Sequence, residues 1–331
     1  YWLDDSAMHS TLEQKSQVLS SALKSHINSE AQMLAGLLYF IAANTQLQAA
    51  WLKKDRAALL ENSEPLYKNI NRNYQVTHFY FHQIDKVNFL RVHTPNRHDD
   101  VIDRSTLAYA EHLGRLTYGL EVGRFGHLVL RVVQPWRIDG KVIGYLEIGE
   151  EIDHIIEKLS QIQQLELMMV LNKQNIDKKE WEFYNLKNDT VGDWDQFSDF
   201  VLVENTLDNA NTDAVSIVNT LLAHRDEHSH IEINSNNSYS GGAIAVKDFS
   251  DNKVGDLLYL MPTAKMEQAR SQSVILILIS GTIIGVFLLS LYFIYITKLE
   301  AKIIGTHKNL SKEVQQRQTA ESELRQHKKE L

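Results

Sequence analysis

Cysteine is absent from all 331 residues, which excludes a disulfide framework and thiolate chemistry and leaves the compartment open. Proline occurs four times and glycine fifteen times, too rarely for long disordered tracts. There is no glycine-rich phosphate loop, no Gly-x-Ser-x-Gly elbow and no His-Glu-x-x-His pair. No catalytic apparatus, cofactor site or metal site is read from the chain.

One further absence organises the rest. Residues 274–296, VILILISGTIIGVFLLSLYFIYI, carry no charge over 23 positions. At about 1.5 Å per residue such a helix reaches roughly 35 Å, enough to cross a hydrocarbon core of about 30 Å. A buried helix of a soluble domain seldom runs so far without a charged position turned to water, so a membrane span is expected. Net charge is −8, with a balance of +3 from Thr297 onward and −11 on the remainder. Lys298, Lys302, Lys308 and Lys312 crowd just past the span, whereas only Lys265 and Arg270 lie close before it. Positive residues stay cytoplasmic, which places 297–331 inside and 1–273 outside. An acidic outer part, with its basic cluster against the membrane, argues against nucleic-acid binding. The chain opens on interfacial Tyr1 and Trp2 and stops at Leu331 inside a helical pattern. It is expected to begin just past an earlier span and to stop before a further domain.

Residues 6 to about 60 read as one helix, with Leu19, Leu23, Ile27, Leu34, Leu37, Leu38, Ile41 and Leu47 at helical spacing. A second helix, 54–74, is expected to break near Pro65. From Val76 the period becomes two. VTHFYFH, VNFLRVH, LTYGLEV, HLVLRVVQPW and KVIGYLEIG read as strands, with a helical piece at 105–113 and turns at Asp85–Lys86 and Asp139–Gly140. After the helix EEIDHIIEKLSQIQQ, a weaker copy of the same order follows. It includes capping and turn residues at 208–212 and a last hairpin turn at Asp251–Asn252–Lys253. The expected fold is α+β: a long N-terminal helix carrying two stacked antiparallel-sheet modules, then a transmembrane helix and a cytoplasmic helix. The expected boundaries are 1–75 for the stalk and second helix, 76–158 and 159–265 for the modules, 274–296 for the span, and 297–331 for the tail. In the tail, Ile303, Leu310, Leu324 and Leu331 share one heptad track that Arg317 interrupts. This suits an imperfect coiled coil in a homodimer, or a plain solvated helix.

Strand alternation sorts the first sheet into faces. Phe79, Phe81, Leu90, Val92, Leu130, Val132, Leu146 and Ile148 form an apolar face for the long helix. The other face collects His78, Tyr80, His82, Arg91, His93, Arg131, Tyr145 and Glu147, with Arg104, Asp103 and Trp136 placed to close a rim. Polar groups converging on a covered sheet are the usual lining of a small-molecule pocket. Cationic residues outnumber acids, so an organic anion or zwitterion is the expected partner, an arginine gripping its carboxylate. The ligand-binding candidates are Tyr80, Arg91, His93, Arg104, Arg131, Trp136, Tyr145 and Glu147. The alternative is that Arg131 and Glu147 form a structural ion pair with the histidines satisfied locally. Two further groups, His224, Asp226, Glu227, His228 and His230, and His93, His98, Asp99 and Asp100, look like metal ligands and are read as solvated loops instead.

The run HFYFHQIDKVNFLRVHTP, then VIDRSTL, then LEVGRFGHLVLRVVQPWRIDGKVIGYLEIGEEID, resembles the double Cache (PAS-like) sensor domains of bacterial membrane signalling proteins, in particular the double sensory region of two-component kinases. The likeness is strong over about 77–153 and topological over 160–262. It implies that the membrane-distal module binds the ligand, on the sheet face away from the long helix. The Tyr/Arg/Trp/Tyr/Asp series of amino-acid-binding relatives is not recognisable, so an amino-acid ligand does not carry over. The tail resembles linkers that precede histidine kinase, PAS or diguanylate cyclase modules. The resemblance thus implies a bacterial inner-membrane sensor, first of the histidine kinase type, with a diguanylate cyclase, a chemoreceptor or a membrane-anchored binding protein as alternatives. Gly281 and Gly285 suit close helix contact in a dimer.

Overall fold

The computed structural model describes residues 2–188, 193–207, 214–223, 229–234 and 237–330. It divides into two compact units, one ending at Ala264 and the other beginning at Lys265.

The first unit opens with α1, Trp2–Ala42. The single helix expected to run to about residue 60 stops there, because two side-chain caps divide it. Asn44 accepts from the backbone N–H groups of Gln46 and Leu47 at 3.0 and 3.1 Å, opening α2, Thr45–Leu52. Asp55 accepts from the Ala58 N–H at 3.0 Å and starts α3, Arg56–Tyr74. The break expected at Pro65 does not occur, and α3 runs through it. Leu59, Ser63 and Ile70 are buried along that helix, and this packing outweighs the cost of about 3 kcal/mol for an interior proline.

Five antiparallel strands follow: β1 His78–His82, β2 Asn88–Arg91, β3 Thr117–Val122, β4 Leu128–Ile138 and β5 Lys141–Glu151, with α4, Ser105–Leu113, between β2 and β3. Their spatial order is β2-β1-β5-β4-β3. Asp139 and Gly140, with φ of 49° and 77°, make the expected tight turn between β4 and β5. After α5, Asp153–Gln163, the pattern recurs in β6 Glu166–Asn172, α6 Lys178–Asn188, β7 Phe200–Asn205, α7 Ala214–Ala223, β8 Ser229–Asn234, β9 Asn237–Lys247 and β10 Lys253–Pro262. The second order, β7-β6-β10-β9-β8, repeats the first strand for strand. The turn residues expected at 208–212 and four of the five in the His224–His230 group lie outside the described residues, and of that group only His230 falls in a described element, β8.

One core joins the two sheets. Leu12, Leu19, Leu23, Leu34, Leu38 and Ile41 of α1 are buried with Phe79, Phe81, Leu90, Leu130, Leu146 and Ile148 of the first sheet. The same cluster continues through Leu167, Met169, Leu171, Leu257 and Tyr259 of the second. A second seam joins the modules. Phe249, in the turn between β9 and β10, sits on Gly119 of β3, where a Cβ would stand 2.5 Å from the phenyl ring. Its N–H donates to the Leu120 carbonyl at 2.8 Å, and its ring meets Tyr109 edge-on at 5.1 Å. Ser250 and Ser105 share a hydroxyl contact of 2.8 Å.

The second unit is carried by α8, Ala264–Glu330, a helix of 67 residues. Its stretch 272–322 has a window of mean hydropathy 2.8 and is long and apolar enough to cross a membrane. Leu289 and Phe293 are 68% and 71% exposed, and Gly281 and Gly285 have no neighbour within 4 Å.

Candidate ligand-binding site

Register sets out the polar face of the first sheet in rows. Arg91, Tyr80, Glu147, Val133 and Thr117 lie side by side across β2, β1, β5, β4 and β3. The next row holds His78, Gly149, Arg131 and Gly119. A glycine on each side leaves Arg131 room to lie along the sheet. The α4 helix covers the β3–β4 half of this face, with Leu107 and Ala110 buried against Val133 and Tyr145.

Glu147 is the hub, and it is fully buried. Its Oε1 accepts from Nη1 of Arg104 and from Nη1 of Arg131, each at 2.7 Å, and its Oε2 lies 2.9 Å from Nε2 of His82. Burial opposes its charge, but the two guanidiniums and His82 outweigh burial and hold the carboxyl well below the usual range. Arg91 grips Asp100 in two-pronged fashion at 2.7 and 2.6 Å, drawing that carboxyl down to about 2. Glu121 accepts with Oε1 from the N–H and hydroxyl of Thr106, at 2.9 and 3.2 Å. Its Oε2 comes within 3.4 Å of Arg131 Nε, yet both atoms are buried without a hydrogen bond, and burial pushes the carboxyl up. Around the Tyr80 ring stand three guanidiniums, 5.0, 5.6 and 6.0 Å from its centre for Arg104, Arg91 and Arg131. Burial would raise the phenol, but Arg104 and Arg131 lower it on balance.

The histidines enter as neutral rings. Burial lowers all three, His78 and His82 below their ordinary value and His93 to about 3, with nearby arginines adding to the effect. Nδ1 of His93 lies 3.1 Å from the Phe79 N and 3.3 Å from the Phe79 carbonyl oxygen, so its tautomer sets whether it accepts from the one or donates to the other. The expected cationic surplus is therefore corrected. Three arginines, Arg91, Arg104 and Arg131, meet three carboxyl groups, Asp100, Glu121 and Glu147.

Of the residues singled out in the sequence, Tyr80, Arg91, His93, Arg104, Arg131 and Glu147 meet here. Tyr145 shares the face but lies at its α4 edge, buried among Ile102, Leu107, Ala110 and Val133. Trp136 is on the opposite face, which corrects the rim expected of it. Five positions after Arg131, it turns toward α1, packs 5.4 Å from Trp51 and 5.6 Å from Phe81, and donates from Nε1 to the Ala42 carbonyl at 2.9 Å. Asp99 is engaged by Arg56 and His98. Sequence reasoning missed Thr106 and Glu121, although the alternation around Leu120 already placed Glu121 on the polar face, and it set Asp100 aside in a solvated loop where the structure pairs it with Arg91. It also passed over His127, Glu151 and Asp153, the group among the described residues whose ligand-type atoms lie within 4.8 Å of one another. In that group His127 Nδ1 stands 3.8 Å from Glu151, with the Tyr184 ring against the imidazole at 4.4 Å.

The second sheet supplies an internal control. Its corresponding face carries Met168, Val170, Leu258 and Leu260, packed on Ile217, Val218 and Leu221 of α7. That face also holds the buried Asp256, beside Val170 and paired with Lys253 at 2.7 Å, but among the described residues the cluster of arginines and carboxyl groups belongs to the first sheet.

Residues 8–192 match the family model described as the double sensory domain of two-component sensor kinase, more than half of the chain. The chain belongs to this double Cache family. The match extends beyond the stretch whose motifs carry the resemblance, taking in most of α1 and the start of the second module. Among solved structures, this double Cache protein is similar to the periplasmic domain of Vibrio cholerae LuxQ, at 11% identity over 76% of this chain and 99% of that one, with a TM-score of 0.44. It is similar to the V. cholerae histidine kinase DctB sensor domain, at 12% identity over 78% and 98% with a TM-score of 0.43. It also resembles the ligand-binding domain of the Campylobacter jejuni chemoreceptor Tlp3 in complex with 4-methylisoleucine, at 11% identity over 78% and 92% with a TM-score of 0.42. At that distance no ligand and no residue role passes to the double Cache chain. No curated protein matches the sequence significantly.

Proposed function

We propose that this chain is the ligand-sensing and signal-transmitting part of a bacterial inner-membrane receptor, with a small organic anion or zwitterion held on the polar face of the first sheet. The observation that carries the reading is the buried Arg104–Glu147–Arg131 bridge, in which two guanidiniums share one carboxylate oxygen. Arg131 Nε and His82 Nδ1 are left without a hydrogen bond beside it, and buried polar atoms in that state call for a ligand or water. A ligand carboxylate would take up the spare guanidinium donors, and a ligand ammonium would find Glu147 and Glu121. The even charge balance favours the zwitterion over a plain anion. Arg104, with a side chain 22% exposed against 2% and 0% for Arg131 and Glu147, stands at the way in.

In this reading 76–158 is the membrane-distal sensing module and 159–265 the proximal one. Residues 274–296 span the membrane, 1–273 are periplasmic and 297–331 cytoplasmic. The exposed apolar surface of α8 suits lipid, and the open sides of Gly281 and Gly285 suit a second copy of the chain. The homodimer would extend through the stalk and the tail. A ligand that prefers one of two arrangements of α4 and the sheet shifts their populations, and the shift passes to α8 as a small helix displacement. The family's description favours a histidine kinase as output, ahead of a diguanylate cyclase or chemoreceptor. The test is a thermal-shift screen of organic acids and amino acids on the detergent-solubilised chain, repeated with Arg104→Ala, a variant of the more open arginine. At least one compound should raise the melting temperature of the wild type and lose most of its effect in the variant. If no compound stabilises the wild type, or if the variant responds equally, the assignment fails.

A further inference from the structure

On the helix side of the first sheet, away from the arginines, a cleft of about 490 Å³ lies between α1, the end of α3, β5 and α5. Its wall includes Glu150, whose residue is fully buried and whose two carboxyl oxygens both lack a hydrogen-bond partner. Glu30 and Glu157 stand on the same wall, against the single ammonium of Lys158. Among the described residues none of these three acids has an ion-pair partner. His154 does not fill the gap, since its Nδ1 is turned to the Glu151 carbonyl at 3.0 Å. Leaving a buried carboxyl with no donor costs on the order of the full desolvation penalty of the group, so a fold that retains one has a use for it or a ligand that satisfies it.

We propose that this cleft is a second binding site and that it takes a small primary alkylammonium. The carboxyl excess calls for a cation. Glu30, Glu150 and Glu157 do not bring three ligand atoms within 4.8 Å of one another, as His127, Glu151 and Asp153 do. A single small metal ion therefore cannot bridge them, whereas an organic cation of several atoms suits a cleft of this volume. Two bare carboxyl oxygens also need hydrogen-bond donors. A primary ammonium brings three N–H groups and a quaternary one brings none. The exposed ring of Tyr74 on the rim offers an apolar surface for the alkyl part.

This site is independent of the arginine face, so either assignment can fail without the other. The experiment is run above pH 8, where the Glu150 carboxyl has lost its proton, and measures the melting temperature of the detergent-solubilised chain against rising butylammonium chloride, with tetramethylammonium chloride at equal ionic strength as the comparison. Butylammonium should give a saturable upward shift that tetramethylammonium does not. Glu150→Gln, which keeps the shape and removes the charge, should weaken apparent affinity at least tenfold. Glu30→Gln should weaken it severalfold. The proposal is overturned by equal shifts from the two cations, by an unchanged response in Glu150→Gln, or by the absence of any saturable shift.

Discussion

Replacing Glu147 with Gln tests whether the bridge holds the first sheet together. The substitution keeps the shape of the side chain and one acceptor, but it strips the counter-charge from Arg104 and Arg131 and a partner from His82. Glu147 and Arg131 are both essentially buried, so solvent cannot replace what is lost. Removing one partner of a buried ion pair costs about 3–5 kcal/mol, because a charge remains buried without compensation. Against a typical domain stability of roughly 5–15 kcal/mol, the variant should fold with little margin. The pH dependence has a definite sign. The folded carboxyl lies well below its ordinary value of 4.5, so its contribution is fully present above that value and lost as pH falls through the folded one. The gap between wild type and Glu147→Gln should therefore be widest near neutrality and close in acid. Urea unfolding followed by tryptophan fluorescence at several pH values measures it. A cost under about 1 kcal/mol at pH 7, or a gap that does not narrow in acid, would falsify the bridge as a source of stability.

Two further outcomes follow from other residues. Burial and the nearby Glu30 push Glu150 up to about 8, so the folded state keeps a proton that the unfolded chain releases above 4.5. Stability should fall as pH rises between those values, and Glu150→Gln should flatten the fall and be the more stable protein at pH 8 by on the order of 3 kcal/mol; melting curves at pH 5, 6.5 and 8 check this, and parallel curves would refute it. A Cβ on Gly144 would stand 2.5 Å from the His82 carbonyl and 2.7 Å from the Trp51 ring. Gly144→Ala should therefore lower the urea midpoint by an amount worth about 1–3 kcal/mol, and an unchanged midpoint would mean that β1 and β5 can part there without cost.

How much of this was legible depended on the range of the interaction. Alternation is local, so the two faces of the first sheet could be sorted from the strands alone, and the side chains of Tyr80, Arg131 and Glu147 meet as sorted. The same rule already separated Trp136 from Arg131, since an odd spacing along a strand reverses the face. Reading Trp136 as rim ignored that parity. The ends of α1, α2 and α3 were marked by Asn44 and Asp55 but were masked by an unbroken apolar stripe on either side. Charge was the least legible property. Whether a histidine is cationic depends on what buries it, and Asp100, which balances Arg91, lies in a loop where strand alternation does not apply.

Phe249 reaches the first module beside two of its three buried-face arginines, Arg104 and Arg131. Gly119, its seat, is the neighbour of Arg131 across β3 and β4, and Ser105, the partner of Ser250, directly follows Arg104. The strand that leaves this turn, β10, runs through Pro262 to the start of α8. Short exposed turns are ordinarily the places where a chain accepts insertions. The turn at 248–251 is not such a place. It acts as a gear tooth whose length is set by the groove it engages, and a longer loop there would leave both sheets intact but break this seam, so that only the core shared along α1 would still join them.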